Sequence, residues 1–85
     1  MGGVTEVILY TRPGCHLCDE ARDAILALRD EGLGIALREV DIERDERLHA
    51  ELGERIPVVK VAGEIVSELA VDLRSLRSRL DTVAA

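Results

Sequence analysis

The only two cysteines of the chain stand three positions apart in Cys15-His16-Leu17-Cys18, behind an apolar run and ahead of a helical pattern. A strand-to-helix junction of this kind presents unpaired backbone N–H groups and the positive end of the helix macrodipole. A thiolate held there is stabilised, so its pKa falls from about 8.5 into the range roughly 3.5–7.5. Cys15 would occupy the exposed N-cap side of the junction, and Cys18 would lie inside the first turn. One sulfur is then nucleophilic and accessible, and the other is shielded but within bonding reach. That is the chemistry of a dithiol–disulfide switch.

The elements that must position this pair follow from the pattern around it. Val4 to Thr11 reads as a strand buried on both faces, because Val7, Ile8 and Leu9 are consecutive apolar residues. Arg12-Pro13-Gly14 breaks it into a loop. From Cys15 to about Glu31, Cys18, Ala21, Ile25 and Leu28 recur at helical spacing, with Asp19 and Glu20 in the first turn, where negative charge suits the dipole. Gly32 and Gly34 end that helix as a left-handed C-cap would. Ile35 to Ile42 reads as a second strand, parallel to the first because a helix connects them. Glu43 to Leu52 reads as a short charged helix closing at Gly53. Ile56-Pro57-Val58-Val59 begins a third strand, which Ala62-Gly63 turns into an antiparallel fourth, Glu64 to Glu68. Leu69, Leu73, Leu76, Leu80 and Val83 form the stripe of a C-terminal helix. The expected fold is α/β, a four-stranded mixed sheet with three helices in the order βαβαββα.

Composition narrows the function. Eighty-five residues suit one domain spanning 1–85, near the lower limit for a self-sufficient core. No apolar stretch reaches the length of a membrane span, and no secretory signal is visible. A cytoplasmic monomer is expected, with no membrane partner. The net charge of −6 argues against nucleic acid, which demands clustered cations. The closely alternating charges from Glu39 to Arg55 read as a solvated face. Cytosolic thiols stay reduced, and a three-residue separation closes too small a loop to constrain the unfolded chain, so reactivity explains the cysteines better than stapling does. A structural zinc site wants four ligands, whereas this chain has one Cys pair and the separated His16 and His49, so no metal is expected.

This order, with Cys-x-x-Cys opening the first helix and Ile-Pro opening the third strand, resembles the glutaredoxin branch of the thioredoxin fold. The resemblance is strongest in the run from Tyr10 to Ala21 and in Arg55-Ile56-Pro57-Val58-Val59. It implies a thiol–disulfide oxidoreductase of cell redox homeostasis, with Cys15 as the attacking and Cys18 as the resolving thiol. Arg12 matches a lysine that favours the thiolate and a glutathione carboxylate. Pro57 matches a cis-proline facing the dithiol, and the backbone of Ile56 would offer strand-like hydrogen bonds to a bound peptide or glutathione. Of the segment preceding the last helix, where the family lets glutathione's γ-glutamyl end approach, only Asp72 and Leu73 match, which implies Asp72 as a substrate-binding residue. His16 either stabilises the thiolate as imidazolium or merely faces solvent in a variable slot. Leu17 offers apolar contact to a docked substrate or covers the dithiol.

Three departures stand out. The quartet is not Cys-Pro-Tyr-Cys; the double glycine before the last helix is replaced by Glu68-Leu69-Ala70-Val71-Asp72; and Glu68 itself brings a charge that would repel a tripeptide carboxylate. These weigh against glutathione as a ligand, though glutathione or another thiol could be the electron donor. The expected partners are a disulfide-containing protein or low-molecular-weight thiol and a reductase, with no bound cofactor. The competing reading is an iron–sulfur or glutathione-binding carrier of glutaredoxin type, two chains each giving Cys15 to a cluster. If the dithiol is primed as its place on the helix implies, alkylation of the reduced protein will already be fast well below pH ~8.5; rates that rise only there refute it.

Overall fold

In the computed structural model, which describes residues 3–84, strand β1 (Thr5–Thr11) leads through a short loop into helix α1 (His16–Asp30). Strand β2 (Ile35–Asp41) runs parallel to β1, with Thr5 opposite Ile35 and Thr11 opposite Asp41. A 3-10 turn (Ile42–Arg44) and helix α2 (Glu46–Leu52) follow. Strand β3 (Val58–Val61) pairs antiparallel with β1, Leu9 opposite Val59, and strand β4 (Glu64–Glu68) pairs antiparallel with β3. Helix α3 (Leu73–Ala84) closes the chain, and the sheet order is β2-β1-β3-β4.

Strand alternation divides the apolar side chains between two cores. Val7 and Leu9 of β1 point to one face and are fully buried with Val59 and Val61, against Ala21, Ile25 and Leu28 of α1 and Leu76 and Leu80 of α3. Tyr10 and Val58 serve a smaller cluster with Ile42, Leu52, Ile56 and Cys18, which α2 covers through Leu48 and Leu52. The second cluster sits at the end of the sheet where β1 runs out, so the loop to α1 starts above it. Ile8 was expected to be buried like its neighbours but is only half-buried. It points away from α1 and α3, and the seven-residue α2 covers that face only at the Tyr10 end.

The end of α1 follows its glycine. Gly32 adopts φ +108°, and the N–H groups of Gly32 and Leu33 bond back to the carbonyls of Arg29 (3.0 Å) and Leu28 (3.3 Å). That is the Schellman arrangement, which needs a left-handed residue after the cap. Gly34 serves a different need: a Cβ there would lie 2.5 Å from the carbonyl oxygen of Gly3, where β2 starts alongside the strand entering the sheet.

Four boundaries differ from expectation, each for a local reason. Ile42 leaves β2 and turns inward, and the helix expected from Glu43 begins only at Glu46. The Asp41 carboxylate accepts the Glu43 N–H (2.9 Å), and Asp45 accepts those of Arg47 (2.9 Å) and Leu48 (3.2 Å). Two such caps four residues apart split one helix into a turn and a shorter helix. The third strand begins at Val58 rather than Ile56, since Pro57 has no N–H for the ladder. Leu69 lies outside α3, which begins at Leu73 behind Asp72. Replacing Gly32 with alanine should lower stability by about 1–3 kcal/mol through its left-handed backbone, read from the urea midpoint; an unchanged midpoint would contradict this account of the helix end.

Candidate functional site

Cys15 is the N-cap of α1. Its backbone is extended (φ −89°, ψ 106°), and its sulfur accepts the Cys18 N–H at 3.2 Å. Gly14, at φ +76°, turns the loop from β1 so that the cap can form. The cap residue and the third helical residue lie one above the other on the first turn, with Cα atoms 5.2 Å apart, and the two sulfurs are joined as a disulfide. Cys15 is half-buried at the rim of the smaller core, whereas Cys18 is 1% exposed within it. The site can therefore exchange electrons through one reachable sulfur while the other waits out of solvent.

The surroundings sort the other candidate residues. Ile56 is buried in the same cluster as Cys18, so only its backbone could serve a ligand. The Ile56–Pro57 bond is cis, as the resemblance implied, and Pro57 is buried. Arg12 is exposed and lines a cleft of about 450 Å³ with His49, Glu51, Gly53, Glu54 and Arg55. His16 lies on the outside of the first turn with its ring 3.5 Å from Glu20, both side chains largely exposed. Leu17 is 49% exposed. Asp19, whose charge would oppose a thiolate, is bonded to Arg22 at 3.2 Å.

Asp72 has a structural task. Its carboxylate takes the Ser75 hydroxyl (2.8 Å) and N–H (3.2 Å) at the start of α3. The Ser75 side-chain bond, then the Ser75 backbone bond, hold its pKa below the ordinary carboxylate value.

Two residues carry more of the site than sequence reasoning credited. Arg55 grips the Glu68 carboxylate through both Nε (2.6 Å) and Nη2. The Leu69 N–H bonds to the Arg55 carbonyl at 3.0 Å, so the end of β4 is tied to the segment before Pro57. The charge of Glu68 is thereby compensated, which removes much of the repulsion expected from it. The signal was present as an arginine beside Ile-Pro and a carboxylate at the strand end, but nothing local to either residue announces the pairing.

Comparison with known proteins supplies an independent line. A family described as Glutaredoxin-like domain (DUF836) matches residues 6–81. A protein of Mycobacterium tuberculosis is 33% identical over 78 residues, covering 86% of this chain and 79% of the relative. A solved structure from X. campestris is 36% identical with TM-score 0.70, covering 89% of this chain and 96% of that one. Thioredoxin O1 of Arabidopsis thaliana, solved in its oxidized state, is 17% identical with TM-score 0.64 over 98% of this chain and 80% of its own, and shares the fold. Among the described residues, no helix is long and apolar enough to cross a membrane, and no group of three or more His, Cys, Asp or Glu is placed to hold a metal ion.

The capping bonds of Asp72 favour its ionised form, so their stabilisation is complete above the ordinary carboxylate pKa and is lost as pH falls through the lowered folded value. The stability gap between the protein and its Asp72→Asn variant should therefore be constant above about pH 5 and shrink in acid. Urea unfolding across pH checks this; a gap that is flat down to the acid transition contradicts it.

Proposed function

The chain belongs to the glutaredoxin-like domain family, and on that footing we propose that it is a thiol–disulfide oxidoreductase working through Cys15 and Cys18. One observation carries the reading: a half-exposed sulfur on a helix N-cap, closed onto a buried sulfur one turn further in.

In the reduced protein the Cys15 thiolate attacks one sulfur of a substrate disulfide. A Cys15–substrate S–S bond forms as the substrate's own S–S bond breaks, and the released sulfur leaves as a thiolate that takes up a proton. Cys18 then gives up its proton and attacks the Cys15 sulfur, expelling the second substrate sulfur. The substrate gains two electrons, and the Cys15–Cys18 disulfide holds the oxidised equivalent. The Cys18 N–H and the α1 dipole favour charge on Cys15. Arg22 offsets Asp19, a carboxylate in the first turn that works against it.

An external dithiol, glutathione or another thiol, or a reductase must reset the pair. The Ile56–Val58 segment, packed in one cluster with Cys18, supports docking of an extended chain along the Ile56 backbone. Such a reductant belongs in a compartment that keeps thiols reduced, in keeping with a cytoplasmic setting.

Cys15→Ser should abolish disulfide reduction, while Cys18→Ser should accumulate mixed disulfides with substrate, read by mass spectrometry of the intact protein. Full activity in the Cys15 variant would overturn the reading. So would visible absorbance and dimerisation on anaerobic reconstitution with iron and sulfide in a protein that reduces no disulfide, an outcome that favours the cluster carrier.

A further inference from the structure

Among the described residues, two non-glycine residues have left-handed backbones, Ala62 (φ +50°) and Leu69 (φ +66°). Ala62 needs no further account, since Ala62-Gly63 is the two-residue turn between β3 and β4, where such angles are the rule. Leu69 lies in no such turn. A branched apolar side chain has no local hydrogen bond with which to offset that backbone. Burial does not offset it either, because Leu69 is 58% exposed. The conformation is instead imposed from outside, by the bond from its N–H to the Arg55 carbonyl and by the Arg55–Glu68 ion pair next to it. The fold thus holds a leucine in an unfavourable posture and leaves its side chain in solvent. An outlier of that kind asks for a functional reason.

Its place in the fold suggests one. Glu68 pairs with Val58, and Val58 with Tyr10, three residues before the Pro13-Gly14 turn that leads into Cys15. Leu69 and the first residue of α3, Leu73, therefore share the end of the sheet from which α1 starts. Leu17 (49% exposed) and Leu73 (39%) are the other large apolar side chains left open at that end. The Arg55–Glu68 pair beside Leu69 is internally compensated, so no net charge adjoins it.

We infer that Leu69 is a specificity-determining contact, which with Leu17 and Leu73 receives an apolar side chain flanking the disulfide of an extended protein segment. The inference rests on the oxidoreductase reading and adds the substrate class: a polypeptide with an apolar residue beside its cystine, in preference to a small hydrophilic disulfide. A small polar disulfide would leave the three leucines in water, whereas a peptide lying against Ile56 brings its neighbouring side chains over them.

Two synthetic disulfide-linked peptides, identical except for Leu or Gly beside the cysteine, test this, with hydroxyethyl disulfide as a third substrate for the unaltered protein. The Leu peptide should show a KM about tenfold below that of the Gly peptide at similar kcat. In Leu69→Gly the two KM values should converge with kcat retained, and the urea midpoint should not fall, because glycine accepts the left-handed backbone freely. Leu17→Ser should narrow the same gap. Equal KM values in the unaltered protein, or a preference that survives Leu69→Gly, overturn the inference. A Leu69→Gly variant with a lowered urea midpoint and lost kcat for both peptides also overturns it, by making the residue structural. If hydroxyethyl disulfide is reduced and the two peptides show equal KM values, the inference falls while the oxidoreductase reading stands. If none of the three substrates is reduced, the oxidoreductase reading falls and takes the inference with it.

Discussion

Everything at the site depends on one geometric constraint: the first turn of α1 sets the spacing and the unequal exposure of its two sulfurs. A cap residue and the third residue of a helix stand one above the other, so Cys15 and Cys18 meet without any long-range folding event to bring them together. The same turn makes them different, because one residue lies before the helix and the other faces inward from it. What the remainder of the molecule must do is hold that turn still. Ala21, Ile25 and Leu28 do so by packing the shaft of α1 against β1 and β3, while Ile42, Leu52 and Val58 close around Cys18 itself. The larger core fixes the helix, and the smaller one fixes the difference between its two thiols.

Charge is used to tie elements together at the edges of these cores. Arg22 joins α1 to Glu39 of β2, Arg77 joins α3 to Glu31 after α1, and Arg79 joins α3 to Glu64 of β4. Exposed pairs of this sort contribute little each, on the order of 0–1 kcal/mol, so the apolar contacts carry most of the stability. Their effect lies in register and orientation. Arg55–Glu68 is the one with chemical consequence, since it places the end of β4 beside the segment that carries Pro57.

Much of this was legible in the residues alone. The Val7–Leu9 run, the period of Cys18, Ala21, Ile25 and Leu28, and the Ala62-Gly63 turn each state their element through local periodicity, and the structure follows them closely. What escaped were local competitions and long-range pairings. Asp41 and Asp45 look like ordinary members of a charged helix until their carboxylates are seen bonded to the backbone ahead of them. Leu69 fits the apolar stripe of α3 by spacing, yet Asp72 starts the helix after it. The cis bond before Pro57 came from family resemblance, because no local rule separates it from the far commoner trans form. Glu68 was read by its sign, but its effect depends on a partner thirteen positions earlier.

The burial of Cys18 also bears on how the protein meets oxidants. Peroxide in solution can reach only the outer sulfur, where the first product is a sulfenic acid. In the reduced protein that species would sit one helical turn from the Cys18 thiol, close enough to condense with it and lose water. Condensation of that kind would end at a disulfide, which thiols can reopen, short of the irreversible sulfinic and sulfonic acids. The geometry thus equips the inner cysteine to shield its neighbour from over-oxidation.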